Sequence, residues 1–241
     1  HLFFERPPLY YEETRNHNRV DFLVSGVFAA HFVNTVSPSF LQEIVDGYHP
    51  FVEPPLRQEL SNKWHSDCAV GILNSPDPTN DPQTDSALPK TFSTETHAQG
   101  KRANKAYLQK ALSLIEDPRA PLFFWPSRLD PVQKGCQLVA QILYSVVSQY
   151  WHQNMQFVFV ANGSYQGVFS DIVHRFNLQS RVSVCGFSER LSRIAYAASD
   201  FVLMPSAFEP CGLPQMIGPL YGSLPIAHDT GGIHDTVQHL D

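Results

Sequence analysis

The chain has 241 residues, of which 43% are hydrophobic and 17% are charged, and 23 acidic against 17 basic residues give a net charge of −6. This composition supplies enough apolar side chains for a sizeable core and excludes a highly charged disordered polypeptide. The negative balance argues against a nucleic-acid partner. The longest strongly apolar run, residues 157–161, is far shorter than the roughly 20 residues of a membrane-spanning helix, so we expect no membrane partner.

Residues 1–20 mix aromatic, proline and charged residues without periodicity, and we expect them to be the tail of a missing amino-terminal domain. One domain is expected over residues 21–241. Its first part is predicted to hold a helix at 22–31, a strand at 32–36, a helix at 38–45 and a strand at 69–73. Residues 75–100 are polar and rich in Pro, Thr, Asp and Ser, which indicates a long, mobile loop.

After this loop, apolar runs alternate regularly with helical patterns. The runs are continuous rather than alternating, as in parallel strands covered on both faces, and the order predicts a doubly wound α/β sheet. Strands are predicted at 122–125, 156–161, 182–185, 201–204 and 224–227. Helices are predicted at 101–114, 136–150, 167–176, 189–198 and 213–221, and from residue 233.

Ligands of a doubly wound sheet bind at the carboxyl ends of its strands, so the residues that follow each strand are the candidates for function. Arg128 and Lys134 follow the first predicted strand of the regular part and can hold a diphosphate, the arginine as a bidentate fork and the lysine as a point charge. The alternative is two surface cations at a helix start, but their position at the carboxyl end of a strand and the small number of cations in the chain favour the functional interpretation.

Glu209 follows the strand at 201–204, where it can accept hydrogen bonds from sugar hydroxyls or simply favour a helix dipole. Gly231 and Gly232 follow the strand at 224–227, and their N–H groups at a helix start can hold a phosphate. Three such sites on three strand ends indicate a phosphate-bearing ligand more strongly than any one of them.

Other chemistries have no support in the sequence. The eleven histidines show no metal-ligand spacing, so we expect no metal, and no G-x-G-x-x-G or G-x-S-x-G motif follows a strand. The four cysteines form no C-x-x-C pair and make a poor disulfide framework, so we expect them to be reduced. Reduced cysteines predict that the protein is located in the cytoplasm or, as an alternative, in a plastid stroma. The chain begins with His1, so we expect a fragment or a processed piece.

Three motifs, SRLDPVQKG, SAFEPCGLPQ and HDTGGIHDTV, resemble in order and spacing the carboxyl-terminal half of the bacterial glycogen synthase and plant starch synthase family. NTVSPSFLQEI, GILN and GKRANKAYLQKAL are further landmarks, and the resemblance covers residues 19–241. It implies the GT-B architecture of two Rossmann-like domains, of which this chain holds the carboxyl-terminal, donor-binding domain, truncated before the family's last helices. The missing amino-terminal domain contacts the glucan acceptor in this family.

The resemblance also implies a reaction: retaining transfer of glucose from a nucleoside diphosphate, with ADP-glucose favoured over UDP-glucose, to the non-reducing end of an α-1,4-glucan, without a cofactor. By motif, Arg128 and Lys134 neutralise the departing diphosphate and Glu209 contacts the glucose. The fragment alone is expected to be inactive. The donor contacts implied by motif are Asn74, Phe187 (where the family has a tyrosine against the base), Cys211, Gly212, Leu213, Thr230, Gly231 and Gly232.

Some positions depart from the family pattern. The loop before Lys134 has one extra residue, Ala207 replaces a common arginine, and Ser75-Pro76 follows Asn74 where the family has Gly-Ile. These departures leave open a catalytically inactive nucleotide- or glucan-binding module. Another GT-B transferase, of the sucrose-synthase or lipopolysaccharide type, is the second alternative. Many of those enzymes carry a second glutamate where Ile217 stands, which favours a glucan synthase.

Overall fold

The computed structural model describes residues 2–4 and 17–239 of the chain. It divides into two compact units, His1–Leu73 and Asn74–Asp241, where the sequence predicts a single domain over residues 21–241. The division arises because the two short strands before residue 74 pair with each other and form a sheet of their own. Most of the predicted tail at residues 1–20 lies outside the described residues.

The amino-terminal unit is a small α/β unit with a two-stranded parallel sheet. Ser37 begins its second helix with a side-chain cap to the Phe40 N–H, and Pro38 occupies the first helical position, as both residue types favour. A third helix, which begins at Pro54, is not predicted from the sequence, because its paired prolines resemble a loop although prolines also fit a first helical turn. Within the described residues of this unit, the elements are α1 (Phe22–Ala29), β1 (Val33–Thr35), α2 (Pro38–Asp46), α3 (Pro54–His65) and β2 (Ala69–Gly71).

The carboxyl-terminal unit confirms the predicted doubly wound α/β fold. Its five strands are all parallel, in the order β5-β4-β3-β6-β7, and β3 lies at the centre. The strands are β3 (Leu122–Trp125), β4 (Gln156–Val160), β5 (Val182–Cys185), β6 (Phe201–Met204) and β7 (Leu224–Ala227). The helices are α4 (His97–Ala111), α5 (Cys136–Gln149), α6 (Gln166–Arg175), α7 (Glu189–Ala198), α8 (Pro214–Leu220) and α9 (Gly231–Thr236), with a 3-10 turn at Trp151–Gln153.

Apolar side chains cover both faces of this sheet. One cluster joins α4 and α7 to the central strands through residues such as Leu108 and Ile194, and the other joins α5 and α6 through Leu143 and Phe169. Strands enclosed in this way read as continuous apolar runs, which is why their positions are visible in the sequence. In the described part of the chain, no helix has the length and apolar character needed to cross a bilayer.

The first segment of the carboxyl-terminal unit, residues 74–96, has little regular structure, but it is anchored to the rest of that unit. The sequence predicts a mobile loop over residues 75–100, whereas α4 already begins at His97 and Leu88 and Phe92 are buried in the core. The buried carboxylate of Asp85 accepts a hydrogen bond of 2.6 Å from the Tyr221 hydroxyl and lies 3.3 Å from an Arg193 nitrogen. Asp85, Leu88 and Phe92 therefore hold this segment against the rest of the unit, although its overall composition is polar.

Candidate active site

The strand order reverses between β3 and β6, which is the position of the ligand crevice in a doubly wound sheet. From β3 the chain proceeds to β4 and β5 on one side, and it then returns to β6 and β7 on the other side. The carboxyl ends of two strands that diverge in this way form the usual ligand site of a doubly wound sheet. The loops at 126–135 and 205–213, which carry most of the predicted site residues, follow β3 and β6.

Lys134 and Glu209 meet in this crevice, although 75 residues separate them in the sequence. Lys134 Nζ lies 2.5 Å from Glu209 Oε2, and both residues are buried. The Ser206 hydroxyl donates a second hydrogen bond of 3.0 Å to the same carboxylate oxygen. The structure therefore brings two of the three residues predicted to be catalytic into direct contact.

The extra residue in the loop before Lys134 is absorbed by a local turn. The Asp130 carboxylate accepts hydrogen bonds from the N–H groups of Val132 and Gln133, which lower the pKa of this carboxyl group. The Asp130 carbonyl accepts from the Lys134 N–H at 3.0 Å. With this turn in the loop, the Lys134 side chain reaches Glu209.

Close backbone contacts hold the loops after β3 and β6 together. The Ala207 N–H donates to the Gln133 carbonyl at 2.8 Å. Gly135 has a φ of +68° and begins α5, and a Cβ at this position would collide with the Pro205 carbonyl oxygen. Any side chain at residue 135 would thus separate the two loops that carry Lys134 and Glu209.

Arg128 is exposed, and its guanidinium lies 3.4 Å from the side chain of Gln133 in the same loop. This weak contact leaves most of the five guanidinium donors available to a ligand. The structure places Arg128 at the predicted strand end, but no described hydrogen bond or ion pair joins it to the Lys134–Glu209 pair.

The loop after β7 reaches the same crevice, but not in the predicted way. The Gly232 N–H donates to the Glu209 backbone carbonyl at 2.8 Å, so this amide is not available to a phosphate. A Cβ at Gly232 would collide with the Cys211 backbone, which shows how closely the two loops approach. Thr230 and Gly231 are buried at the start of α9. The N–H group of Gly232 is therefore engaged within the chain, and the donor contacts predicted for Thr230, Gly231 and Gly232 stay predictions.

Cys211, Gly212 and Leu213 form the turn that leads into α8. The Gln215 side-chain amide donates to the carbonyl oxygens of Cys211 and Gly212 at 2.8 and 3.0 Å and fixes this turn. Nothing in the sequence singles out Gln215, because a glutamine in the first turn of a helix has no distinctive pattern. Cys211 is buried and Leu213 is partly exposed.

Phe187 and Asn74 lie farther from the pair. The Phe187 ring is 60% exposed, and its backbone N–H donates to the Asn162 side chain at 2.9 Å across the ends of β5 and β4. Phe187 follows β5, which is the second strand from β3 and lies about 10 Å from it. Asn74 is exposed, and no described hydrogen bond connects it to Lys134 or Glu209.

The loops at these strand ends carry two cations, Arg128 and Lys134, and the buried carboxylate of Glu209, and an exposed aromatic ring, Phe187, follows β5. Among the described residues, no group of three His, Cys, Asp or Glu side chains is arranged to hold a metal ion.

Comparison with known proteins identifies the family. Residues 120–241, about half of the chain, match the family described as glycosyl transferases group 1. The chain belongs to the group 1 glycosyl transferases. This confirms the predicted membership in a glycosyltransferase family and the classification as a glycosyltransferase.

Two relatives share the name glycogen synthase. The protein from Exiguobacterium sibiricum is 40% identical over 223 residues, covering 91% of this chain and 44% of the relative. The protein from Bacillus subtilis is 35% identical over 240 residues, covering 98% of this chain and 47% of the relative. This group 1 glycosyl transferase chain therefore spans less than half the length of these curated relatives.

The solved structures agree with the sequence relatives. The catalytic domain of starch synthase IV from Arabidopsis thaliana, bound to ADP and acarbose, aligns with a TM-score of 0.78 and 34% identity over 91% of this chain and 43% of that one. HepE from Anabaena, in complex with UDP and glucose, aligns with a TM-score of 0.58 at 19% identity, a likeness that shows the fold alone. Both confirm the predicted Rossmann-like, GT-B type of fold.

Proposed function

We propose that this chain is the donor-binding half of a retaining α-1,4-glucan synthase that transfers glucose from ADP-glucose to the non-reducing end of a glucan. The relatives named glycogen synthase and the ADP-bound starch synthase domain support this assignment. The observation that carries it is the buried Lys134–Glu209 pair in the crevice between β3 and β6, beside the exposed Arg128.

The proposed role of Lys134 and Arg128 is to stabilise the departing diphosphate. As the bond between glucose and diphosphate breaks, negative charge grows on the phosphate oxygens, and preorganised cations stabilise that state more than the bound donor. The Lys134 ammonium has three N–H donors, of which Glu209 takes one, so two remain for phosphate oxygens. Since the Gly232 amide is engaged, Lys134 and Arg128 carry more of this task than the helix start does.

The proposed role of Glu209 is to bind the glucose that is transferred. Positive charge develops on the anomeric carbon during transfer, and a carboxylate at this place stabilises it or orients the glucose hydroxyls. One oxygen of Glu209 is held by Lys134 and Ser206, while no hydrogen bond within the described part of the chain reaches Oε1. The arrangement thus anchors the carboxylate and leaves one oxygen for the glucose. The exposed Phe187 ring packs against the nucleotide base.

The rest of the enzyme completes the site. The curated relatives are about twice as long as this chain, and we assign the glucan acceptor contacts to an amino-terminal GT-B domain in the remaining half. With protein cations at the diphosphate, we expect transfer without a metal ion or other cofactor. The four cysteines are free thiols, which supports a reducing compartment, the cytoplasm.

The experiment compares this chain with the complete protein. Calorimetry with ADP and UDP, run beside incorporation of labelled glucose into glycogen, should show weak nucleotide binding by residues 1–241, tighter for ADP, without chain extension. The complete protein should extend glycogen, and EDTA should not reduce its rate. Water exclusion and acceptor alignment, which require both domains, contribute several kcal/mol to such a barrier.

Each alternative has its own outcome. Nucleotide binding by the complete protein without turnover would indicate an inactive module, and transfer to an acceptor other than glucan would indicate another GT-B transferase. Chain extension by residues 1–241 alone would contradict the division of work between the two domains.

A further inference from the structure

The Ser206 hydroxyl is the second donor to the buried carboxylate of Glu209, and neither the motif resemblance nor the comparisons assign it a role. Ser206 directly follows Pro205 at the end of β6 and is 1% exposed. Its Oγ donates to Glu209 Oε2 at 3.0 Å. A hydrogen bond from a hydroxyl to a carboxylate is stronger than one to a neutral acceptor, because the acceptor is charged. The Ser206 hydroxyl therefore helps to hold the buried carboxylate in one orientation.

The two donors make the carboxylate oxygens unequal. Lys134 Nζ and Ser206 Oγ both bond Oε2, at 2.5 and 3.0 Å, whereas Oε1 has no hydrogen-bond partner within the described residues. A lysine ammonium on a flexible stem does not by itself fix the plane of a carboxylate. A second donor from a rigid backbone position restricts its rotation.

The backbone of Ser206 is itself held from a third strand. His228, directly after β7, places Nδ1 at 2.8 Å from the Ser206 carbonyl oxygen. Because a carbonyl only accepts, this ring nitrogen carries a proton. The neighbouring Ala207 N–H donates to the Gln133 carbonyl at 2.8 Å, so Ser206 lies between contacts to the loops after β3 and β7.

We infer that Ser206 is a positioning residue for Glu209: its hydroxyl, with Lys134, fixes Oε2 so that Oε1 faces the glucose being transferred. This inference rests on the proposed function for its catalytic consequence, while the geometry of the carboxylate is independent of any activity. Ser206 acts through Glu209 and touches no reacting atom.

The test uses Ser206→Ala in the complete protein, with Ser223→Ala as the matched control. Ser223 is also fully buried and shares a hydroxyl–hydroxyl hydrogen bond of 2.8 Å with Ser199, but it precedes β7 and lies at the opposite end of the sheet. Both substitutions remove one buried hydroxyl. We expect Ser206→Ala to lower kcat by about ten- to a hundredfold with a KM for ADP-glucose near that of the native protein, since misplacement of a reacting group has this cost. Ser223→Ala should leave kcat within about twofold.

A double-mutant cycle separates positioning from general damage. In a Glu209→Gln background, Ser206→Ala should change kcat by less than about twofold, because the carboxylate on which the hydroxyl acts is gone. Equal losses in both backgrounds, or a kcat for Ser206→Ala equal to that of Ser223→Ala, would overturn the inference.

A crystal structure of Ser206→Ala provides a readout without activity. The Glu209 carboxylate should rotate away from the orientation seen with serine, and an unchanged carboxylate would contradict the inference even where transfer is absent. If Ser206→Ala fails to fold, Ser206→Thr retains the hydroxyl and should retain the carboxylate orientation. Absence of transfer by the native complete protein would refute the proposed function, and the carboxylate geometry would still decide the role of Ser206.

Discussion

The five-stranded sheet carries buried lysines at both ends, and the two ends are constructed differently. At the amino end, Lys105 Nζ lies 2.7 Å from Asp200 Oδ2 and donates to the Ala120 carbonyl at 3.0 Å, and the same carboxylate oxygen accepts from the Leu122 N–H at 2.8 Å. Lys101 Nζ donates to three carbonyls within 3.3 Å, those of Ala197, Ser199 and Tyr221. At the carboxyl end, Lys134 Nζ has one described partner, Glu209.

The two ends differ in how far the hydrogen-bonding capacity of the buried charged groups is used within the chain. Buried charged groups are costly unless their hydrogen-bonding capacity is used. Backbone carbonyls and an N–H group supply partners at the amino end, which holds β3, β6 and the end of α7 together. Lys134 and Glu209 lack such partners, although both are buried. Their unused donors and acceptor fit a ligand that enters from the crevice.

The largest expected difference between the two ends of the sheet is in the rate of glucose transfer after a lysine or arginine is replaced. Lys134→Ala and Arg128→Ala should each slow glucose transfer by on the order of 3 kcal/mol in the barrier, because the diphosphate gains charge as it leaves, while glucan binding changes little. The control Lys105→Ala should retain the native kcat, as measured in the complete protein below its unfolding temperature. An unchanged rate of glucose transfer in Lys134→Ala would mean that Lys134 has a structural role, like Lys105.

Glu209→Gln should have the next largest effect. It retains size and hydrogen bonding but removes the charge, so we expect a loss in turnover on the order of a hundredfold with little change in donor affinity. Steady-state kinetics and ADP-glucose calorimetry measure the two quantities. Native turnover in this variant would leave Glu209 with a helix-terminus role only, like that of any acid at a helix start.

Lys105→Met should act on stability rather than on the site. It removes hydrogen bonds to Asp200 and to the Ala120 carbonyl, and hydrogen bonds of a charged group are worth on the order of 2 kcal/mol. Urea unfolding of residues 1–241 should show this loss, with ADP affinity unchanged. A weaker affinity for ADP would mean that the two ends of the sheet are coupled.

The last prediction concerns the pH dependence of stability that Lys101 confers. Burial, only partly offset by the charge of Asp200, lowers the pKa of this lysine from 10.5 to about 8. The unfolded chain therefore binds more protons between these values, and the free energy of unfolding rises with pH in this interval. Relative to Lys101→Met, the free energy of unfolding of the native chain should rise as the pH is raised from 8 to 10.5. Parallel pH curves for the two proteins would contradict the lowered pKa.

Local pattern in the sequence was sufficient for the elements of the sheet. Four predicted strands and the helix Glu189–Ala198 have the bounds that the structure shows, since apolar runs bounded by turn residues depend on neighbours in the chain. The choice of the loops after β3, β6 and β7 also follows from the sequence, because ligands of parallel sheets bind at carboxyl ends.

The contacts within the candidate site were decided by the tertiary structure alone. Glu209 and Lys134 meet because β6 lies beside β3, a strand order that no local periodicity encodes. The hydrogen bond from the Gly232 N–H to the Glu209 carbonyl and the one from Tyr221 to Asp85 also join residues far apart in the chain. The boundary between the two units at Leu73 likewise depends on which strands pair. Sequence periodicity reports which side chains are apolar and how they repeat, whereas pairing between distant residues depends on which elements become neighbours when the whole chain folds.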